Sequence, residues 1–166
     1  MKINWLIVII IVILLAGSGF FAFGFFQPKR ATLATFQQIQ DGSKIKIKLG
    51  KQVIEVEVAN TDTSRTQGLS DRQEIGSDGL LFVFDKPDQY RFWMKQMRFG
   101  LDFIWLADQK IVEITRDVPP PVEGQQLQFL DIYQPAVPAD MMIEVAAGQA
   151  EKWGLEVDQE LKLVSQ

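Results

Sequence analysis

The sequence contains no cysteine and no histidine among its 166 residues. Without cysteine there is no disulfide to stabilise the fold, so its stability must come from a hydrophobic core. The two absences together remove most zinc, copper and haem ligands, and they exclude catalysis by Cys–His or Ser–His–Asp systems. The chemistry that remains uses carboxylate, lysine, tyrosine or hydroxyl groups, and we expect neither a metal nor another cofactor.

The chain also lacks an excess of positive charge, with 17 lysine and arginine residues against 21 acidic ones. The net charge is −4, the pI is about 4.9, and lysine and arginine form no long run. Proteins that bind nucleic acid usually concentrate basic residues in a patch or stripe. We therefore predict that nucleic acid is not a partner.

Residues 3–26 carry no charge and consist mainly of isoleucine, leucine, valine and phenylalanine. A helix of this length reaches about 36 Å, which exceeds the bilayer hydrocarbon core of about 30 Å. The segment is either a retained transmembrane anchor or a signal peptide cleaved near Ala16-Gly17-Ser18. We favour an anchor over residues 1–26, because the apolar run continues to Phe26.

The membrane orientation has two opposing indications. Lys2 precedes the apolar segment and Lys29 and Arg30 follow it, which slightly favours an internal domain by the positive-inside rule. A single N-terminal span ahead of one small domain more often exports that domain. We predict a single-pass membrane protein, with a juxtamembrane linker over residues 27–42 and an extracytoplasmic folded domain over residues 43–166.

Alternation of apolar and charged residues predicts a β hairpin at the start of the folded domain. Gly50-Lys51 suits a tight two-residue turn with glycine at its first central position. This turn sets a register with apolar pairs on one face and lysine–glutamate pairs on the other: Ile47 with Ile54, Ile45 with Val56, Lys46 with Glu55 and Lys44 with Glu57. Each pair of opposite charges contributes about 0.2–1 kcal/mol.

Short apolar runs predict further strands over residues 80–84, 91–94, 101–106, 111–117, 141–146 and 160–164. Two short helices are expected, one between Asn60 or Thr61 and Gly68 and one over residues 149–153. This composition predicts a mainly β fold, a compact sandwich or partly closed barrel with one or two short helices, preceded by the N-terminal transmembrane helix.

Several short motifs follow one another in a specific order. They are Arg65-Thr66-Gln67-Gly68-Leu69-Ser70, Gly79-Leu80-Leu81-Phe82-Val83-Phe84, Phe92-Trp93-Met94-Lys95, Leu101-Asp102-Phe103-Ile104, Ile143-Glu144-Val145-Ala146-Ala147-Gly148 and Trp153-Gly154-Leu155. In this order the chain, from about residue 54 to 164, resembles the domain of unknown function 192 family, also called uncharacterised protein family 0127. It departs from the family pattern at Leu80, Gln96 and Val157-Asp158. The resemblance implies a compact jelly-roll-like sandwich and brings no established activity.

Two arginines bracket the first predicted helix. Arg65 and Arg72 could together bind a carboxylate, a phosphate or a sugar acid, because guanidinium groups form paired hydrogen bonds with such anions. The alternative, which we favour, is that Arg65 neutralises a carboxylate in the fold. Asp102 and Glu144 are the candidates, since both lie within apolar strands and need a partner there.

The aromatic stretch over residues 91–106 contains further candidates. Trp93 could be an exposed platform for a sugar or a peptide, although burial in the core is the more common role for tryptophan. Lys95 lies close in sequence to Asp102 and could pair with it. Asp102 and Glu144 could form a two-carboxylate pair of the glycosidase kind, but nothing in their spacing brings them together.

We therefore predict a membrane-anchored extracytoplasmic domain that binds an envelope protein or a carbohydrate without converting it. Its recognition surface would include Arg65, Arg72, Lys95 and Asp102. One alternative is a carboxylate-dependent hydrolase acting on envelope carbohydrate, with Asp102 and Glu144 as acid and base. Another is a structural accessory subunit of a larger membrane assembly.

Overall fold

The computed structural model describes residues 31–164. The strands are β1 (Lys44–Leu49), β2 (Gln52–Ala59), β3 (Gly79–Asp88), β4 (Leu101–Ala107), β5 (Lys110–Val118), β6 (Ala139–Ala146) and β7 (Leu161–Leu163). The helices are α1 (Leu33–Gln37), α2 (Asp62–Gln67) and α3 (Gln149–Lys152), and a 3₁₀ turn covers Leu127–Phe129. None of the helices within 31–164 is long and apolar enough to cross a membrane. The predicted transmembrane helix over residues 1–26 lies outside the described residues.

The predicted hairpin is confirmed in both its strands and its register. β1 and β2 are antiparallel and pair the same residues that the turn predicted, including Ile47 with Ile54 and Lys44 with Glu57. Gly50 adopts a φ of 57°, which glycine reaches without steric cost. The local pattern and the turn chemistry were sufficient here, because a one-residue slip would move every apolar side chain to the opposite face.

The seven strands form one sheet in the order β5-β4-β6-β3-β2-β1-β7. Neighbouring strands are antiparallel except β2 and β3, which are parallel and are connected through α2. The sheet curls until its ends meet, because Lys110 of β5 bridges Glu160 just before β7. The mainly β fold is thus confirmed, and a single curled sheet takes the place of the two sheets of a sandwich. Alternating patterns specify which face of a strand is buried, but they do not specify whether a twisted sheet closes on itself.

Apolar side chains form two cores, one on each face of the sheet. The inner core receives residues from all seven strands and from α1 and α3, among them Phe36, Ile104 and Ile143. The outer core covers β3, β4 and β6, whose outward residues pack against residues 69–75 and 90–99. Because these three strands are covered on both faces, they read as nearly continuous apolar runs in the sequence.

Residues 91–94 do not form a strand of the sheet, which corrects that prediction. Only Phe92 has a strand-like contact, a pair of hydrogen bonds of 2.8 Å with the backbone of Tyr133. The segment instead crosses the outer face of the sheet as a cover, and the side chain of Phe92 meets the ring of Phe82 edge to face at 5.0 Å. The prediction was wrong because an aromatic residue that packs on the core produces the same sequence pattern in an extended cover as in a strand of the sheet.

Helix α1 was not predicted and lies within the stretch that we predicted as a linker. Its side chain Phe36 is completely buried in the inner core. The side chain of Gln37 donates hydrogen bonds to the backbone oxygens of Phe84 at 2.9 Å and Asp85 at 3.2 Å. A helix of five residues is too short to be stable by itself or to show a helical period, so packing alone defines it.

The other predicted elements agree with the structure. Helix α2 is capped by Thr61, whose side-chain oxygen accepts from the backbone N–H of Ser64 at 3.2 Å, and it ends at Gly68. Helix α3 and strands β3 to β7 overlap the predicted ranges. Just after β7, the backbone N–H of Val164 donates to the backbone oxygen of Lys46, so β7 ends beside the first half of β1.

Candidate functional site

A cleft of about 290 Å³ opens on the outer face of the sheet, between α2, β3 and residues 90–97. Seven of its fifteen lining residues are apolar or aromatic: Leu69, Phe82, Phe84, Tyr90, Phe92, Trp93 and Met97. Its charged lining residues are Asp62, Arg65, Arg91 and Glu144. A concave site that combines many apolar side chains with a few polar groups is the usual form of a small-molecule site.

Local sequence patterns build the aromatic wall. Phe82 and Phe84 lie two residues apart on β3, so both project from the outer face. Tyr90 stacks on Phe84 with ring centroids 3.8 Å apart, and the Tyr90 hydroxyl donates to the backbone oxygen of Lys86 at 2.8 Å. Phe92 lies between these rings and the outer face of β4, 5.5 Å from the ring of Trp105. The rings hold one another in place, which makes this wall preformed.

Glu144 lies on β6 at the inner end of the cleft. The register places it between Leu80 of β3 and Phe103 of β4, which are apolar neighbours on the same face. Its side chain is buried, and its Oε2 atom has no hydrogen-bond partner within the described part of the chain. Burial raises the pKa of Glu144 to about 8, against the lowering effect of the nearby Arg72 charge. At neutral pH this carboxyl is therefore mostly protonated.

Arg65 is occupied by groups of the fold. Its guanidinium donates to the backbone oxygens of Asn60 and Val83 and to the carboxylates of Asp62 and Asp85. The contact with Asp62 is 2.6 Å and that with Asp85 is 3.2 Å. Burial lowers the pKa of Arg65, but the hydrogen bonds with these two carboxylates outweigh it, so the net shift is upward. Arg65 thus neutralises carboxylates as expected, but these are not the predicted Asp102 or Glu144.

Arg72 forms a separate pair. It donates two hydrogen bonds to Glu57 of β2, at 2.7 and 2.8 Å, in the parallel geometry that makes such pairs strong. The hydrogen bond from Arg72 lowers the pKa of Glu57. Arg65 and Arg72 therefore do not form the anion clamp that was the less favoured of the two hypotheses, because each is bound to different carboxylates.

Asp102 is completely buried on the inner side of β4. Its carboxylate accepts backbone N–H bonds from Asp117 at 2.8 Å, Gly148 at 3.2 Å and Ala150 at 2.9 Å. It thereby joins β5 to the start of α3. Neither Lys95 nor Arg65 contacts it.

The two acids that we considered as a catalytic pair lie on opposite faces of the sheet. Asp102 is opposite Val145 and Glu144 is opposite Phe103, so the register separates them by one residue. Successive residues of a strand point to opposite faces. The structure therefore does not place these carboxyls in one cleft.

Trp93 is 53% exposed and Met94 beside it is buried. Trp93 lines the cleft and also a second, apolar cavity formed with Lys95, Leu127, Leu130 and Ile132. Trp105 is buried, and its Nε1 donates to the side chain of Thr115 at 3.1 Å. Of these two tryptophans, only Trp93 is available as a platform.

Sequence reasoning selected Glu144, Arg65 and Trp93 but did not predict the cleft that they share. The other lining residues were missed as site residues, among them the aromatic residues Phe82, Phe84 and Tyr90. Alternation along β3 could have placed the two phenylalanines on one face, but their juxtaposition with Glu144 depends on the non-local pairing of β3 with β6. Within residues 31–164 no group of three or more acidic side chains could hold a metal ion.

The fold and the cleft define a small protein with one curled β sheet and a ligand-sized site on its outer face. The profile of the domain of unknown function 192 family, described as uncharacterised ACR, matches residues 44–163. The chain belongs to this family, as the order of its motifs predicted.

Two solved structures share the fold. One is a protein from Sinorhizobium meliloti 1021, provisionally described as a transcription regulator; it is 25% identical, with a TM-score of 0.65 over 75% of this chain and 97% of that chain. The other is a protein of unknown function from Novosphingobium aromaticivorans DSM 12444; it is 23% identical, with a TM-score of 0.63 over 72% and 84% of the respective chains. No curated protein matches the chain.

Proposed function

We propose that this protein is a binding domain that takes a small organic ligand in the cleft between α2, β3 and residues 90–97. The observation that supports it is the buried carboxyl of Glu144, which has an oxygen without a partner at the inner end of an aromatic cleft. Buried polar groups in proteins nearly always have a hydrogen-bond partner. A ligand that completes this bond would explain both the cleft and the carboxyl.

Binding is better supported than hydrolysis. The proposed hydrolase used Asp102 and Glu144, and Asp102 is held by three backbone N–H groups on the other face of the sheet. The second carboxylate at the cleft, Asp62, is already paired with Arg65 at 2.6 Å. No pair of free carboxyls within the described residues lines the cleft, so the two-carboxylate mechanism lacks its second member.

The proposed place of action is the outer side of a membrane. The support is in the sequence, where residues 3–26 form an uncharged apolar run long enough to span a bilayer. A retained span would keep the domain and its cleft close to the membrane surface. The ligand would then be an envelope component, and an envelope protein or carbohydrate remains among the proposed partners.

A thermal-shift screen of small amines, alcohols, acids and sugars tests the cleft as the binding site. The full chain is used in detergent, together with Trp93→Ala and Leu127→Ala. Both residues are exposed and apolar, but Leu127 lines only the second cavity. We expect at least one compound class to raise the melting temperature of the wild type, with a smaller rise in Trp93→Ala and an unchanged rise in Leu127→Ala. A smaller rise in melting temperature in Leu127→Ala than in Trp93→Ala would contradict the proposal. So would the absence of any rise in the wild type with every compound class.

A further inference from the structure

We propose that the ligand of this cleft is an organic cation, an amine whose ammonium group lies against Glu144 and whose apolar part packs on the aromatic wall. The inference rests on the proposed function and names the ligand class for the same site. Three features in and beside the cleft carry it: two arginines, Arg65 and Arg72, that are already bound to carboxylates, a carboxyl that has no partner within the described residues, and the aromatic side chains that line the same cleft.

The occupied arginines argue against an anionic ligand. The guanidinium of Arg65 donates to two backbone oxygens and two carboxylates, and that of Arg72 is bound to Glu57 in two parallel hydrogen bonds. An anion would have to displace these internal partners. Arg91 also lines the cleft, but it is exposed, and an exposed charge adds little to binding because water competes for it.

The unoccupied carboxyl argues for a ligand that donates hydrogen bonds. Glu144 Oε2 is buried and without a partner within residues 31–164, and the apolar residues Leu80 and Phe103 flank it in the sheet. An ammonium group offers three N–H donors and a full positive charge. In surroundings of low polarity, that charge interacts with a carboxylate far more strongly than it does in water.

The aromatic side chains add to the preference for a cation. Phe82, Phe84, Tyr90, Phe92 and Trp93 all line the cleft. The faces of such rings carry partial negative charge and attract a cation within about 6 Å of the ring centre. An arylalkyl or alkyl amine can therefore use the same wall for its charge and for its apolar part.

Binding of an amine at Glu144 has a defined proton balance. The free carboxyl carries its proton at neutral pH, because burial raises its pKa to about 8. When R–NH₃⁺ binds, the O–H bond of the carboxyl breaks, an ammonium–carboxylate pair forms, and one proton leaves to solvent. The charge that acts on Glu144 is that of Arg72, which is neutralised by Glu57 of β2. The other charged groups that line the cleft are the Arg65–Asp62 pair of α2 and Arg91 in the segment that covers the sheet.

The test compares three ligands of nearly equal shape: phenethylammonium, 2-phenylethanol and phenylacetate. Their affinities for the full chain in detergent are measured by titration calorimetry at pH 6, 7 and 8.5. We expect phenethylammonium to bind most tightly at pH 8.5 and to lose affinity about tenfold per pH unit below pH 8, because the protonated carboxyl must release its proton. At pH 6 and 7, the binding enthalpy is measured in two buffers of different ionisation enthalpy. The difference between the two values should correspond to the release of about one proton per ligand bound.

Glu144→Gln keeps the size of the side chain and removes its charge. We expect this variant to bind phenethylammonium at least tenfold more weakly at pH 8.5, without pH dependence, and to bind 2-phenylethanol as the wild type does. Glu156→Gln is the matched control, since Glu156 is exposed in the loop before β7 and does not line the cleft. If Glu144→Gln does not fold, the proton release of the wild type decides the question.

The outcomes separate this inference from the proposed function. Equal or tighter binding of 2-phenylethanol or phenylacetate at pH 8.5, where the amine should bind best, overturns the cation class and leaves the cleft as a binding site. Binding of phenethylammonium without proton release, or equally well to Glu144→Gln, places it away from Glu144 and also overturns the inference. If none of the three binds while sugars or other compounds shift the melting temperature through Trp93, the ligand class is wrong and the proposed function stands. If nothing binds in either experiment, both are wrong.

Discussion

At the scale of single residues, Asp102 and Glu144 show how one register position decides the role of a buried acid. Both lie in strands that are buried on two faces, and no local pattern distinguishes one acid from the other. Asp102 faces inward and accepts three backbone N–H bonds, whereas Glu144 faces outward with an oxygen that has no partner in residues 31–164. The sequence predicts that each acid needs a partner; the non-local pairing decides which acid has one.

Replacement of Asp102 by alanine should strongly destabilise the fold. It leaves three backbone N–H groups without their acceptor, and a buried donor without a partner costs about 1–3 kcal/mol. We expect the free energy of unfolding to fall by about 3–5 kcal/mol in urea titrations. Asp131→Ala, at an exposed position, is the control and should change the free energy of unfolding by less than about 0.5 kcal/mol. A loss below about 1 kcal/mol for Asp102→Ala would show that water replaces the carboxylate.

Glu144 should make the protein less stable as the pH rises. Its pKa is raised from 4.5 in the unfolded chain to about 8 in the fold, so between these values the folded state binds the additional proton. The free energy of unfolding should therefore fall by up to about 1.4 kcal/mol per pH unit from pH 5 to 8. The lowered pKa of Glu57 acts in the opposite sense, because its stabilisation is lost as the pH falls below about 4.5.

Denaturant titrations of the wild type and of Glu144→Gln at pH 5, 6, 7 and 8 measure this effect. The variant should show a flatter dependence on pH, and the two curves should converge toward pH 5. Curves that stay parallel over the whole range would mean that Glu144 is ionised in the folded protein.

At the scale of elements, the sequence predicted those whose signals are local. The hairpin of β1 and β2 has a turn and an alternation that agree, and helix α2 has a capping threonine and a terminal glycine. Two elements were not predicted correctly, the covering segment 91–94 and helix α1. Both are defined by what their aromatic residues pack against, Phe92 on the outer core and Phe36 in the inner one. Such contacts join residues far apart in sequence and leave no local pattern.

Phe36→Ala tests whether α1 belongs to the folded domain. Because Phe36 is completely buried, its truncation should lower the free energy of unfolding by about 3–5 kcal/mol. Phe129→Ala removes an equally large ring that is 66% exposed and should have little effect in the same titration. If both variants unfold like the wild type, α1 is a linker without a structural role, as the sequence first suggested.

At the scale of the whole molecule, the sheet curls on itself through the contact of Lys110 with Glu160. The sequence predicted the mainly β class and the family, because both depend on short motifs in a fixed order. It left a sandwich and a partly closed barrel as alternatives and did not specify one curled sheet, since curling depends on twist accumulated over seven strands. The cleft was missed for a related reason, as its walls come from α2, β3, β6 and residues 90–97, which non-local pairing and packing bring together.

The absence of cysteine allows a direct test of the membrane orientation. In Glu123→Cys the new thiol lies in the exposed loop between β5 and β6, and in Lys2→Cys it precedes the predicted span. A membrane-impermeant maleimide added to intact cells should label Glu123→Cys and should label Lys2→Cys only after lysis. The opposite pattern would place the domain inside. Loss of Lys2→Cys from the mature protein would identify a cleaved signal peptide.

The place where the chain enters the curled sheet affects how a ligand would reach the cleft. Lys44, Val164 and the start of α2 lie at one end of the curled sheet, because Lys44 pairs with Glu57 near the end of β2 and the backbone N–H of Val164 donates to the oxygen of Lys46. Gln37 of the entering chain also contacts the backbone of Phe84 at the cleft wall. If the domain is tethered through this end, its cleft lies on the tethered side and the hairpin turn at Gly50 lies on the opposite side. Amphipathic molecules that partition into the tethering surface would then reach the cleft from a local concentration much higher than that in bulk solution.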